Sequence, residues 1–547
     1  MATTSDIVEL TALRGLSPRQ ARLLTLDAIA QGTIYAEAGL LPWELDTDEH
    51  GQYVAARQRA PGVQAGLAGA SVQKLLDKLV GARVFPSIVL SDGTDATYPP
   101  DVEAVDDALW QEGIDLSSAL YNPAHDLVVK GSGALGFTHS GPGVWEAAPL
   151  RTEWCDVVFV SQVTGSRARS YAAQIAKFAP EQVGFDDSGP LLVAPTVARS
   201  LDVAFLRYQY RWEEEVPRGG RTATETVIHW LRRDYLPNAI LEYLPVEVHS
   251  DTEVPQEFFP IPTEPHNWGV VPVVWITPRG TDPGVMDGPS LLTEPVKKVC
   301  QAADYEESFA HNAFKVNAAP EKDEIDVRDR AEGEAVMGGD SNAYLKPADA
   351  GAINRYQSIG EHPAVQLLET SGVALTKGLE RAQHFAQLVA KLTGIVDYDQ
   401  SQASGTISGT ALKRMADPLL SRVDGYRGRL GPALQLFVQK LATAMRAEGE
   451  ISSAVSCEAE WPDVIELTAE DISALATAYG MLRQHSLISP ETAIVAIGNA
   501  LGLADPEGEV GKVQAYEQEA MRRAMETMQA TGGVDPDPTA DDTDAQS

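Results

Sequence analysis

Hydrophobic and polar positions divide the chain into regions of different rhythm. Near the start, "SPRQARLLTLDAIAQGTIYAEAG" has the spacing of a helix, with Ser17 as its N-cap and Pro18 at the first helical position. Between 70 and 125 helix and strand alternate. "SVQKLLDKLVGARV" predicts a helix, "FPSIVLSDG" an extended segment, and "DVEAVDDALWQEG" a further helix. From 126 to 280 the pattern is mostly β. "WCDVVFVSQ", "VAFLRYQYRWEEE", "TETVIHWLRR" and "VVPVVWITP" carry the β-branched and aromatic enrichment of strands.

After 285 the rhythm becomes helical. "PSLLTEPVKKVCQAADYEESFAHNAFKVN" predicts a long helix, in which Pro295 is tolerated near the start if Thr293 is the cap. A charged, Gly-bearing stretch follows at 320–361. Then Val365, Leu368, Gly372, Leu375, Leu379, Ala382, Ala386 and Val389 recur at spacings of three and four. That is the narrow seam of helices packed side by side, and small residues in it favour close approach. Read from Pro363 to Leu392, this helix would be about 45 Å long at 1.5 Å per residue.

"TGIVDYDQSQASGTI", 393–407, is a polar loop. A third helical pattern runs from Ser408 to about Arg446, with kinks expected at Pro418 and Pro432. "SCEAEWPDV" returns briefly to β character. Helices resume in "TAEDISALATAYGMLRQHS", in "SPETAIVAIGNALG", where Ser489 is a good cap, and in "EVGKVQAYEQEAMRRAMETMQ". The acidic, Pro-bearing tail from 531 lacks the apolar residues a core needs, so disorder is expected there. No internal repeat is visible.

Gly131, Gly133 and Gly136 in "DLVVKGSGALGF" spell G-x-G-x-x-G after the strand-like Leu127-Val128-Val129. A dinucleotide site would need a helix to open on the last glycine, with the pyrophosphate on its N-terminus. Gly141-Pro142-Gly143 stands where that helix should be, and this is a turn. A β-hairpin with glycines at turn and bulge positions is expected instead. Glu153 and Asp156 lie near the distance of a ribose ligand and keep the other reading open.

Composition changes the picture in two ways. The chain has 547 residues, of which 44% are hydrophobic, enough for three or four domains with substantial cores. It carries 78 acidic against 43 basic residues, a formal net charge of −35. That argues against a protein that wraps nucleic acid with a basic surface, though not against one past which nucleic acid slides. Cys155, Cys300 and Cys457 are far apart, so no disulfide framework and no metal knuckle is expected, and a reducing compartment is. No signal peptide and no apolar run long enough for a membrane span is read.

No catalytic constellation emerges. No G-x-x-x-x-G-K-[ST], H-E-x-x-H or G-x-S-x-G occurs, and "GTISGTALKR" has the wrong spacing for a phosphate loop. Single histidines such as His311 and His384 read as packing or surface. Glu213-Glu214-Glu215 reads as a solvated face. Trp110, Trp154, Trp212, Trp268 and Trp275 read as core or interface anchors. No catalytic activity, cofactor or metal is expected.

The order of segments nevertheless resembles a known family, the portal proteins of tailed bacteriophages of the siphophage type. The resemblance covers roughly 70–500. "SVQKLLDKLVGARVFPSIVLSDG" followed by "LWQEGIDLSSALYNPAHDLVVKGSGALGF" is similar to the early wing. "NWGVVPVVWITP" and then "MDGPSLLTEPVKKVCQAADYEESFAHNAF" resemble the entry into a first stem helix. "HFAQLVAKLTGI", the polar loop and "SGTALKRMADPLLSRVDGYRGRLGPALQLF" resemble the second stem helix, the tunnel loop and the long kinked wing helix. "WPDV" and "LISPETAIVAIG" resemble the wing return and the crown.

The resemblance implies an α+β portal fold and a ring-shaped homo-oligomer, typically of twelve copies. After an N-terminal helical segment (1–60) that the resemblance does not cover, its parts would be a mixed α/β wing (61–285), a first stem helix (286–319) and a clip (320–361). A second stem helix (362–392), a tunnel loop (393–407), the kinked helix with the wing return (408–465), crown helices (466–530) and the acidic tail (531–547) would complete it. The implied role is a passive channel for double-stranded DNA at one capsid vertex, in packaging and ejection, in the virion and in host cytoplasm during assembly. The implied partners are the terminase large subunit, a head-completion adaptor, and the major capsid and scaffolding proteins. Asp397, Tyr398, Asp399, Gln400 and Gln402 would face the DNA. Leu368, Leu375, Leu379 and Ala382 would pack subunits in the stem. Asp326, Arg328 and Asp329 would dock the motor at the clip. Twelve copies of −35 give a formal −420, and an acidic bore keeps DNA mobile. The alternatives are another ring-forming connector or tail protein, or a soluble dinucleotide-binding enzyme.

Overall fold

The computed structural model describes residues 16–325 except 46, 49, 82–83, 94–98, 111–112, 197–201, 218–223, 250–253, 256, 263–264, 283 and 319–321. Beyond that it describes 353–356, 364–367, 372–395, 409–462, 477, 479, 481, 489–500 and 506–531. Helix and sheet are mixed, an α+β chain. It divides into two compact units, one of 1–398 with 418–461, the other of 399–417 with 462–547.

In the first unit, α1 (Pro18–Gln31) opens on a capping box. The Ser17 hydroxyl accepts from the Gln20 amide, and the Gln20 side chain accepts from the Ser17 amide. Gly32, at φ 74°, stops the helix, so the single stretch read from sequence is two elements, with α2 (Ile34–Glu37) after the turn. Next come α3 (Leu67–Leu79), β1 (Ser87–Ser91), α4 (Pro100–Trp110) and α5 (Leu116–Val129). Leu127-Val128-Val129 ends α5 and is wholly buried, which corrects its strand-like reading. A short apolar run looks the same in a buried helix and a buried strand.

Two sheets build most of the β-rich region. β2 (Gly133–Gly141) and β3 (Val144–Ala148) form the expected hairpin across Gly141-Pro142-Gly143. β4 (Cys155–Phe159) precedes α6 (Ser166–Ile175), a helix the β-rich reading missed. The hairpin β5 (Val183–Asp186) and β6 (Gly189–Leu192) follows, then β7 (Val203–Pro217), β8 (Thr224–Tyr235), β9 (Ile240–Glu242), β10 (Val246–Val248) and β11 (Val273–Ile276). The larger sheet has the order β10-β8-β7-β4, with β9 also on β8, and the smaller is β11-β2-β3. The small residues Ala168 and Ala172, with Ile175, let α6 lie against this core, and all three are fully buried.

The long helices come next. α7 (Glu294–Ala318) is followed by three short strands, β12 (Lys322–Ile325), β13 (Ile353–Tyr356) and β14 (Ala364–Leu367). They form a small sheet of order β13-β12-β14, parallel on one side and antiparallel on the other. α8 (Gly372–Thr393) packs along α7. α9 (Gly409–Glu448) runs 40 residues and includes Pro418 and Pro432. β15 (Ser456–Glu460) pairs antiparallel with β1, about 370 residues earlier, Ser87 opposite Glu460.

The second unit contains the start of α9, α10 (Pro490–Ala500) and α11 (Pro506–Thr531). Ser489 caps α10, its hydroxyl accepting from the Thr492 amide at 3.1 Å. α11 packs against α10, and Gln514 donates to Glu491 at 3.2 Å.

Candidate functional site

The helices α7 and α8 pack along each other, and their surroundings define what they can offer. The middle of α7 is contacted by the N-terminal part of the chain. Tyr35 donates its hydroxyl to Asp304 at 2.7 Å, and the Ala65 amide donates to the other Asp304 oxygen at 2.7 Å. Tyr305, the next residue, donates to the Arg59 carbonyl, and one turn on from Asp304 the Ser308 hydroxyl accepts from the Val63 amide. Trp43 meets Phe309 edge to face. Residues 33–65 thus form a strap along the helix. Burial pushes the Asp304 carboxyl up to about 6, against the hydrogen bonds that favour its ionised form. α1 is clamped as firmly to the loop before α7. Arg19 makes two 2.7 Å bonds to Asp287, Arg22 adds one at 2.8 Å and Ser132 another. The described residues of the N-terminal segment, which the resemblance leaves unassigned, therefore pack on the first long helix and on the loop before it.

On α8, Val389 is buried, Ala382 half-buried and Ala386 exposed. Arg381 reaches Glu306 of α7 at 3.2 Å. Leu375 and Leu379 lie on α8. Leu368 lies outside the described residues. Val365 is in β14, not in a helix, and the helix begins at Gly372 rather than Pro363. The β-branched Val365 is claimed by pairing with Glu324 of β12, a long-range contact that spacing along one segment cannot show. An apolar seam is buried on α9. There Val423, Tyr426, Leu430, Leu434, Phe437, Leu441 and Met445, at spacings of three and four, are all buried.

The clip residues Asp326, Arg328 and Asp329 lie outside the described residues, and so do Asp397, Tyr398, Asp399, Gln400 and Gln402 of the tunnel loop. Only the edges of the segment 320–361 are described, and these are strands. Among the described residues, no helix is long and apolar enough to cross a membrane.

Buried charge, not legible as a motif, organises the first unit. Lys440 on the buried side of α9 donates to Asp202 at 2.7 Å and to the Val273 carbonyl at 2.8 Å. Burial lowers the Lys440 pKa, and Asp202 opposes that fall. Asp234 on β8 is fully buried between Arg207 and Arg232, whose guanidiniums lie within 3.2 Å. Burial alone would raise its carboxyl, but the two cations hold it below its ordinary value. Lys440 could have been found from sequence, because it falls among Phe437, Val438 and Leu441 on the apolar side of a helix.

The glycines of the G-x-G-x-x-G run serve packing. The run leads from a helix into a strand that holds Gly133 and Gly136, the reverse of the strand-to-helix order a pyrophosphate cradle requires. Gly131 has φ +78°, and a Cβ there would stand 2.2 Å from the Gly288 carbonyl oxygen. A Cβ on Gly133 would stand 2.4 Å from the Pro123 carbonyl oxygen. Backbone, not phosphate, approaches these glycines.

No protein-family model matches the chain, and no curated protein matches it. Among solved structures it is similar to a chain described as the neck of a native GTA particle computed with C12 symmetry. The TM-score is 0.36 and the identity 12%, over 79% of this chain and 91% of that one. Nothing of that particle's function is carried over at this depth of similarity.

Proposed function

We propose that the chain is a portal-type protein, a ring-forming conduit for double-stranded DNA at one vertex of a phage capsid. The observation that carries the reading is the order of elements: a mixed α/β body, the long helix α7, a small sheet, the long helix α8 packed on α7, and then the 40-residue α9. This is the succession of wing, stem, clip, stem and wing helix that the sequence resembles. The net charge of −35 supports a wall that DNA passes without being held. On this reading twelve copies form the ring. The terminase motor docks at the 320–361 segment and is later replaced by a head-completion adaptor, with no catalytic step in the chain itself. A shorter ring-forming connector is the second reading, which the two long paired helices disfavour.

Negative-stain microscopy of the purified chain tests the proposal. Rings with a wide central hole are expected. A monodisperse monomer at every protein concentration tried would overturn it.

A further inference from the structure

A cavity of about 740 Å³ opens between α1, α3, α5 and the β2–β3 hairpin of the first unit. Asp27 of α1 and the adjacent His125 and Asp126 of α5 line it, together with Lys130. The donor atoms of Asp27, His125 and Asp126 all lie within 4.8 Å of one another. Lys130 Nζ sits against them, 2.8 Å from Asp126, 3.8 Å from Asp27 and 2.7 Å from Glu153. Three carboxylates therefore converge on one ammonium in a place where the Lys130 and Glu153 side chains are 3% and 0% exposed. His125 Nδ1 lies 3.6 Å from the same Asp126 oxygen that Lys130 contacts. The Glu153 Oε1 atom is buried with no hydrogen-bond partner.

We propose that Asp27, His125 and Asp126 form a binding site for a first-row divalent cation, reached through this cavity. One nitrogen and two carboxylate oxygens are a donor set that suits Mn²⁺, Co²⁺ or Zn²⁺ better than an all-oxygen cation such as Ca²⁺. Bonds of about 2.0–2.2 Å require the three donors to draw together by about an ångström. Two of them, Asp27 and His125, are half-buried side chains that line the cavity. Asp126 already accepts from Thr152 through its other oxygen, so its carboxylate is oriented while keeping acceptor capacity. Lys130 is the competitor. It holds the carboxylates together without a metal, and Glu153 retains it when a metal draws Asp27 and Asp126 away. The site is independent of the portal reading, because it needs only the packing of α1 on α5.

Mn²⁺ titration of the full-length chain, followed by loss of the free-ion electron paramagnetic resonance signal, tests the site. One saturable Mn²⁺ per chain is expected, with nitrogen-14 modulation from an imidazole ligand in the pulsed spectrum. H125Q and D27N should each weaken binding by at least about tenfold, with the far-UV circular dichroism of the parent, and H125Q should also abolish the nitrogen signal. Zn²⁺ should displace the Mn²⁺. Absence of saturable binding overturns the proposal, as does binding with no nitrogen modulation in the parent chain, a measurement that needs no variant to fold.

Discussion

Lys440 Nζ lies 2.7 Å from an Asp202 carboxylate oxygen, and both side chains are only 3% exposed. This pair joins α9 to the start of β7, and the Val273 carbonyl on β11 takes a further ammonium proton. One cation thus ties the long helix to the β10-β8-β7-β4 sheet and to the β11-β2-β3 sheet. Its partner is in turn oriented locally, because Asp202 accepts from the Val203 amide at 2.8 Å.

Lys440→Met would leave Asp202 buried without its cation. Breaking one side of such a pair costs about 3–5 kcal/mol, far more than the pair contributes relative to apolar replacements. The thermal midpoint should fall sharply, and Lys440→Met combined with Asp202→Ala should recover part of the loss. A double variant no better than the single one would show that Asp202 is not the group left uncompensated.

Gly131→Ala tests the assignment of the glycine run to packing. The left-handed backbone alone costs a non-glycine residue about 1–2 kcal/mol, and the Cβ would also meet the Gly288 carbonyl at 2.2 Å. A loss of stability at least this large is expected from chemical denaturation. A neutral substitution would mean that the Gly131–Gly288 approach does not exist.

Local signals were legible where local chemistry decides. Ser17 and Ser489 as caps, the strands β4, β7, β8 and β11, and the span of α9 follow from side-chain type and spacing. The misreadings arise where distant partners decide. Leu127-Val128-Val129 is apolar enough for either element, and burial on a helix end settles it. Val365 leaves the predicted helix because β12 offers it a ladder. The pairing of β1 with β15 could not be read, since neither segment names its partner. For the site, the sequence pointed to the helices after 285 as the wall. It gave no sign that residues 33–65 would cover α7, because Tyr35 and Asp304 are 269 positions apart.

The strap should respond to pH through Asp304. Its carboxyl titrates at about 6 in the folded chain against 3.8 for the free group, chiefly because burial disfavours the charge. A folded value above the unfolded one means that this group favours folding most below about pH 4, and that the contribution is lost as pH rises through 6. Hydrogen exchange at the Ala65 amide, corrected for its intrinsic pH dependence, should therefore be slower at pH 5 than at pH 7.5. Asp304→Asn should remove most of that difference. An unchanged pH dependence in the variant would assign it to another group.

The polar segment 393–407 carries the last prediction, which rests on the portal reading and on sequence alone for residues 396–407. In a portal ring the link from the second stem helix to the long wing helix faces the DNA. Asp397 and Asp399 would repel phosphate there, while Tyr398, Gln400 and Gln402 could touch DNA without gripping it. A loop that merely connects two helices predicts no effect of its charge. Asp397→Lys with Asp399→Lys replaces two negative charges per subunit by two positive ones. Cationic contacts to phosphate release counterions, with a salt slope near −0.9 per contact on a duplex. Rings of the variant should therefore bind DNA tightly at low salt, with a much steeper salt dependence than the parent, and heads built with them should fill slowly or incompletely in an in vitro packaging reaction. Higher salt should restore part of the filling. If variant rings, confirmed by microscopy, bind DNA no better than the parent at about 50 mM salt, a concentration at which such contacts are strong, the loop does not face the channel.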